Sequence, residues 1–352
     1  GTPEEYNKVG VLAVGDDDAP NVLVLQPGTS SSAAYFVPLA RDIVEASPDW
    51  QVWAVERRQN LLEDHSRLDS FDAGEIGNEE LFDYYLGYLN DPTISDRHEN
   101  VPDDTVDFAK NWGLEVAVED TLIVVGEAAE KGGKVVLGGH SLGGSVTTAF
   151  ATWDFDGNPG AEQLDGLVYI DGGSRSSPLS VEEATAALEQ LEEPGTSPWL
   201  TFGGIPAPFA GLFMATGSSA ALLDPDAASL GAASGLLPAE IVPPVPATNA
   251  GQFGYALNVG SSPENLAAAQ AHLGTGITDN GGWDGTGAIT PIERYAEMFS
   301  GAGIEGADGA EWYFPQRLTN DTRVIANGNA NPAQEVLGVR STLGDQLPEG
   351  LF

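Results

Sequence analysis

The chain contains no cysteine and only two methionines. Without cysteine there is no disulfide framework, no thiolate metal site and no cysteine nucleophile, which leaves serine as the natural nucleophile. Basic residues are scarce as well. Fourteen lysines and arginines face 53 acidic residues, a formal net charge of −39, and the lysines are limited to Lys8, Lys110, Lys131 and Lys134. A surface of that sign repels nucleic acid and anionic membranes, so no nucleic-acid partner is expected. The acids are spread along the chain, which suits a solvated surface, including one in concentrated salt where screening removes the self-repulsion. No apolar run reaches the length of a membrane span. No signal peptide is visible ahead of Gly1, which reads as a processed, secreted chain; the cytoplasm of a high-salt organism is the alternative. Histidine is also rare, with four in all, at His65, His98, His140 and His272, and this restricts the choice of a general base.

What the chain does have is a folded composition. Hydrophobic residues make up 41% of 352 positions and charged residues 19%, enough for a large core or a core with an inserted module. Its most informative run is Gly139-His140-Ser141-Leu142-Gly143, a G-x-S-x-G pattern preceded by the apolar stretch 135–137 and followed by a helix-compatible stretch at 145–152. With 44 glycines the bare pattern arises by chance, so the flanking strand and helix carry the weight. The glycines let chain and helix pass close together while the serine hydroxyl projects outward. The N–H of Leu142 then falls at a helix N-terminus, where unpaired donors favour a developing oxyanion.

Short apolar runs at 9–14 and 22–25, separated by the turn formers 15–20, predict a hairpin or two adjacent strands. A helix is predicted over 33–46, a strand over 51–55, helices over 81–89 and 112–130, and a strand over 166–170 ending in Asp171-Gly172-Gly173. Alternation of strands and helices points to one doubly wound, mostly parallel sheet. The block 175–300 is rich in Ala, Gly, Pro and Leu, with helices at 181–191 and 263–273 and no clear strand. It reads as a mainly helical cap inserted between 1–174 and 301–352. Its cluster Trp199, Phe202, Phe209, Leu212, Phe213 and Met214 is expected in the cap's own core more than at a site. The sheet is expected to resume at 323–326. Asp154-Phe155-Asp156-Gly157-Asn158 begins like a calcium loop but lacks the distal glutamate, and reads as a solvated turn.

On the Gly-His-Ser-Leu-Gly-Gly run and the strand and helix order over 9–173, the chain resembles the α/β-hydrolase superfamily, in particular its esterases and lipases. The resemblance implies an α/β-hydrolase fold with an inserted helical cap, here lacking its last strand, and Ser141 as nucleophile. It implies an oxyanion hole from the N–H groups of Leu142 and of Thr29, in a loop that reads Gln26-Pro27-Gly28-Thr29 where the family usually has His-Gly. The family order is Ser, acid, His. The usual acid position after the cap is occupied by Asn327, Gly328 and Asn329, so the acid implied is Asp171, directly after the strand that follows the elbow. His272 is the only histidine after Ser141 and therefore the implied base. The alternative is a base on a missing or separate C-terminal segment. No metal or organic cofactor is needed.

The expected activity is hydrolysis of a small carboxylic ester with an apolar portion, through an acyl-enzyme. Amidases, peptidases and thioesterases share the fold and elbow and remain alternatives, as does a non-catalytic binding protein without a base.

Overall fold

The computed structural model describes residues 1–173, 179–257, 285, 292–301, 303–325 and 331–347. Among the described residues five strands form the main sheet: β1 (Gly10–Val14), β2 (Asn21–Gln26), β3 (Trp50–Glu56), β4 (Val135–His140) and, after the short hairpin strands β5 (Asp154–Phe155) and β6 (Asn158–Pro159), β7 (Gly166–Ile170). Their order is β1-β3-β2-β4-β7, parallel except for β1, which runs antiparallel to β3.

The apolar runs are what a sheet covered on both faces requires. Val22, Val24 and Leu25 are fully buried. Leu23 and Leu25, with Val52 and Ala54, pack under α1 (Val37–Ala46) against Phe36 and Ala40. By the two-residue period of a strand, Val22, Val24 and Leu137 point to the opposite face. There α4 (Leu114–Ala129) and α5 (Leu142–Thr152) pack on each other and on β2 and β4, bringing buried Val118, Val125, Val146 and Phe150. Each fully buried aliphatic side chain of this kind contributes about 2 kcal/mol.

The register sets up the site. Gln26 at the end of β2 lies beside Gly139, and His140 at the end of β4 lies beside Ile170 at the end of β7. The segments starting at Pro27, Ser141 and Asp171 therefore leave the sheet from one edge, at the carboxyl ends of parallel strands, where α/β folds hold their ligands.

Two expectations are corrected. The runs 9–14 and 22–25 form neither a hairpin nor neighbouring strands, because β3 and β4 occupy both edges of β2 and β1 pairs beyond β3. Residues 323–325 are not a strand: α11 (Gln316–Thr322) ends there, and Val324 and Ile325 are buried at its end. The predicted helix at 263–273 and the segment Asn327-Gly328-Asn329 lie outside the described residues. The stretch after Asp154 is the tight turn joining β5 to β6, in which the Gly157 N–H donates to Asp154 Oδ1.

By internal contacts the chain divides into one unit of residues 1–63, 100–209 and 311–352 and a second of 64–99 and 210–310. The first holds the sheet, α1, α4, α5, α6 (Val181–Glu192), the hairpin strands β8 (Thr201–Phe202) and β9 (Ile205–Pro206), α11 and α12 (Pro332–Leu337). This hairpin is a short exception to the absence of strands expected over 175–300. Trp199 is buried in this unit, with its ring 5.1 Å from that of Tyr313. The second unit is helical: α2 (Ser66–Asp72), α3 (Asn78–Tyr85), most of α7 (Ala207–Leu223), α8 (Leu230–Ser234), α9 (Asn249–Ala256) and α10 (Glu293–Ser300). Ala221, Phe253, Leu257, Ile292 and Ala296 form its core, with Met214 packed against them. Residues 64–99 thus group with the helical unit, whereas the sequence places them with the sheet. At their start, Asp64 accepts from the Tyr84 hydroxyl at 2.6 Å and pairs with His98, and these bonds hold its carboxyl well below the usual carboxylate range.

Asp321 is one of the buried carboxylates that make stability depend on pH. Asp321 of α11 accepts from the Leu114 N–H at 3.0 Å, capping α4, and pairs with Arg317 at 2.7 Å. Burial nevertheless pushes it from 3.8 up to about 6. A carboxyl raised on folding stabilises fully below its unfolded value, and the contribution is lost as pH rises through the folded value. The melting temperature should therefore fall between pH 3.8 and about 6. Asp321→Asn should flatten that fall, and an unaltered slope in a calorimetric pH series would rule this origin out.

Candidate functional site

Ser141 joins β4 to α5 at φ 51° and ψ −120°, a conformation that costs a non-glycine residue on the order of 1–3 kcal/mol and persists only where its surroundings over-determine it. Those surroundings are glycines in backbone contact. A Cβ on Gly139 would stand 2.2 Å from the Gly143 carbonyl carbon, and one on Gly172 would stand 2.3 Å from the Ser141 carbonyl oxygen. The Ser141 N–H donates to the Ile170 carbonyl at 3.2 Å, and the Gly144 N–H donates to the Ser141 carbonyl at 3.0 Å. Leu142 is the first residue of α5, so its N–H belongs to the turn that has no intrahelical acceptors.

The segment after β2 passes directly against this turn. A Cβ on Gly28 would lie 3.2 Å from Ser141 Cβ and 3.0 Å from His140 Nδ1. Thr29 follows in a half-buried turn. Gln26 is buried and donates from Nε2 to Thr121 Oγ1 on α4 at 2.8 Å.

His140 stacks on Tyr35, with ring centroids 5.3 Å apart and planes inclined by 23°. Its buried Nδ1 has no hydrogen-bond partner among the described residues. Burial lowers its pKa, and the nearby Asp171 carboxylate offsets part of that shift. Asp171 is exposed and also takes a positive φ, 42°, immediately before the Gly172 that packs on Ser141. The structure thus brings together Ser141, Leu142, the Gly28-Thr29 segment and the Asp171 backbone at one end of the sheet. His272 lies outside the described residues. His140 is the one histidine within the residue ranges of the first unit.

Two residues beside the site escape sequence reasoning. Arg57, directly after β3, is buried and pairs with the fully buried Glu311 at 2.6 Å. Burial pushes Glu311 up to about 7, against the pull of the Arg57 charge. The available signal was an Arg57-Arg58 pair at the end of an apolar strand in a chain with so few basic residues.

No protein-family model matches the chain, and no curated protein sequence does. Among solved structures it is similar to a lipase-esterase related protein from Clostridium acetobutylicum, with 14% identity and a TM-score of 0.27 over 51% of this chain and 54% of that one. It is also similar to a siderophore hydrolase from Aspergillus fumigatus, with 15% identity and a TM-score of 0.21 over 73% of this chain and 61% of that one. The aligned region is under two thirds of either protein's length. The mostly parallel sheet flanked by helices is consistent with an α/β-hydrolase-like fold, and the second unit of the chain is helical.

Proposed function

We propose that the chain is a serine hydrolase of carboxylic esters, with Ser141 as the nucleophile. The observation that carries this reading is the backbone of Ser141, a strained serine between a parallel strand and a helix, held there by glycines on three segments. Strain of this kind is seldom kept without use. In the reaction, Ser141 Oγ attacks the ester carbonyl and a histidine takes its proton, later passing it to the leaving alcohol. The N–H groups of Leu142 and Thr29 hold the oxyanion, and water then releases the acid. Asp171 is the carboxylate for the imidazolium, and His272, the one histidine after Ser141, is the base by chain order. The substrate is a small ester with an apolar portion.

A second reading, a binding protein of the same fold without a base, is favoured by one observation: the only histidine of the sheet-bearing unit is stacked on Tyr35. A fluorophosphonate probe followed by peptide mapping separates the two readings. Stoichiometric labelling at Ser141 is expected, and an intact protein that takes up no label would leave only the binding reading.

A further inference from the structure

Two arginines follow β3, and both are buried in a chain with a large acidic excess. A buried guanidinium needs partners, and the two are partnered differently. Arg58 makes a fork with one carboxylate, Nε to Asp120 Oδ2 at 3.0 Å and Nη2 to Asp120 Oδ1 at 2.5 Å, with Nη1 on Asn7. That is a sufficient structural pair. Arg57 instead places a single donor, Nη1, on Glu311, while the other oxygen of Glu311 accepts from Gln59. Nη1 also donates to the main-chain carbonyls of Gly28 at 3.2 Å and Ser31 at 3.4 Å, and Nη2 donates to that of Pro27, while the buried Nε has no hydrogen-bond partner among the described residues. The Glu311 N–H adds a bond to the Ser30 carbonyl at 3.0 Å.

Three carbonyls of the segment 27–31 are therefore held by the Arg57 guanidinium, and a fourth by the main chain of its partner Glu311. In a trans peptide the C=O and the next N–H point in opposite directions. Fixing the Gly28 carbonyl on the guanidinium turns the Thr29 N–H away from Arg57, and fixing the Pro27 carbonyl does the same for the Gly28 N–H. This is the segment whose Gly28 touches Ser141. It is also strained, with Ser30 at φ 51°, a conformation that an unrestrained serine would leave.

We propose that Arg57 and Glu311 are positioning residues that lock the Gly28-Thr29 peptide in the orientation in which the Thr29 N–H can serve the oxyanion at Ser141. The inference rests on the reading of Ser141 as a nucleophile. The oxyanion donor is then set by a charge pair behind the loop, and a flip of that one peptide removes it while leaving substrate binding intact.

The test compares Arg57→Lys, Glu311→Gln and Arg58→Lys with the wild type. Lysine at 57 keeps the charge for Glu311 but loses the planar fork that reaches three carbonyls. Glutamine at 311 keeps the shape and removes the charge, so the question stays open to test if one of the two variants fails to fold. For a p-nitrophenyl ester, both Arg57→Lys and Glu311→Gln should lower kcat by about 10- to 100-fold with KM within about twofold, the mark of an interaction made only in the transition state. Affinity for a boronate that mimics the tetrahedral state should fall by the same factor. Arg58→Lys disturbs a buried pair next door and should lower the melting temperature with kcat unchanged. A kcat loss in the Arg57 and Glu311 variants no larger than that of Arg58→Lys, with the wild type active and labelled at Ser141, overturns the positioning role alone. A wild type that neither turns over ester nor labels at Ser141 overturns the nucleophile reading, and this inference with it.

Discussion

Ser141→Ala is expected to lower ester turnover by on the order of 10⁴- to 10⁶-fold while leaving the protein as stable as before. The size follows from the proposed mechanism, in which the loss of Oγ removes the acyl-enzyme and leaves only the proposed oxyanion site acting on water. The stability follows from the backbone. Alanine keeps a Cβ at φ 51°, so the strain at the turn is unchanged, and the half-buried hydroxyl it removes leaves little behind. Ser141→Gly sharpens the point, since glycine tolerates positive φ and should raise stability by about 1 kcal/mol while being equally inactive. Higher stability with lost activity identifies the strain as kept for chemistry. The measurements are p-nitrophenyl ester kinetics and calorimetry on the three proteins. Turnover in Ser141→Ala within tenfold of the wild type would remove Ser141 from the nucleophile role.

The strands that carry the site were legible because their signals are local. A run such as Val22-Leu23-Val24-Leu25 is apolar on both faces and stops at Pro27-Gly28, and the glycines around Ser141 announce close backbone contact wherever the chain goes next. Strand order was not legible in the same way. The turn formers at 15–20 suggested that β1 pairs with β2, but both edges of β2 are taken by parallel partners that arrive later in the chain. Val324-Ile325 illustrates a different limit, since an apolar pair this short fits a strand or the buried end of a helix equally well. The support of the segment 27–31 was least visible. Arg57 and Glu311 are 254 positions apart, and nothing local marks Glu311 among 53 acidic residues until burial singles it out. The imidazole was limited by composition more than by pattern: four histidines leave one after Ser141, and its neighbourhood gives no local signal that separates a base from a helix-end residue.

Gly143→Ala tests the close contact between α5 and the end of β2, and here two effects of opposite sign compete. Intrinsic helix propensity favours alanine over glycine by about 1 kcal/mol. Against it, a Cβ at position 143 would stand 2.0 Å from the Gln26 carbonyl oxygen, 2.7 Å from its carbon and 2.8 Å from the Pro27 carbonyl oxygen. These are main-chain atoms, and no side-chain rotation relieves the overlap. Either α5 or the Gln26-Pro27 segment has to move by about 1 Å, a core displacement that costs roughly 3 kcal/mol, so sterics win over propensity. The movement also reaches the chemistry, because Gln26-Pro27 leads directly into Gly28-Thr29; a shift of that size should lower kcat by about 100-fold. Gly126→Ala supplies the contrast. Gly126 lies within α4 with nothing among the described residues within 4 Å of the added Cβ, so there the propensity term acts alone and should stabilise by up to about 1 kcal/mol with activity unchanged. Chemical denaturation of both variants together with ester kinetics decides the matter: a Gly143→Ala protein as stable and active as Gly126→Ala would mean that the contact between α5 and β2 is looser than the structure has it.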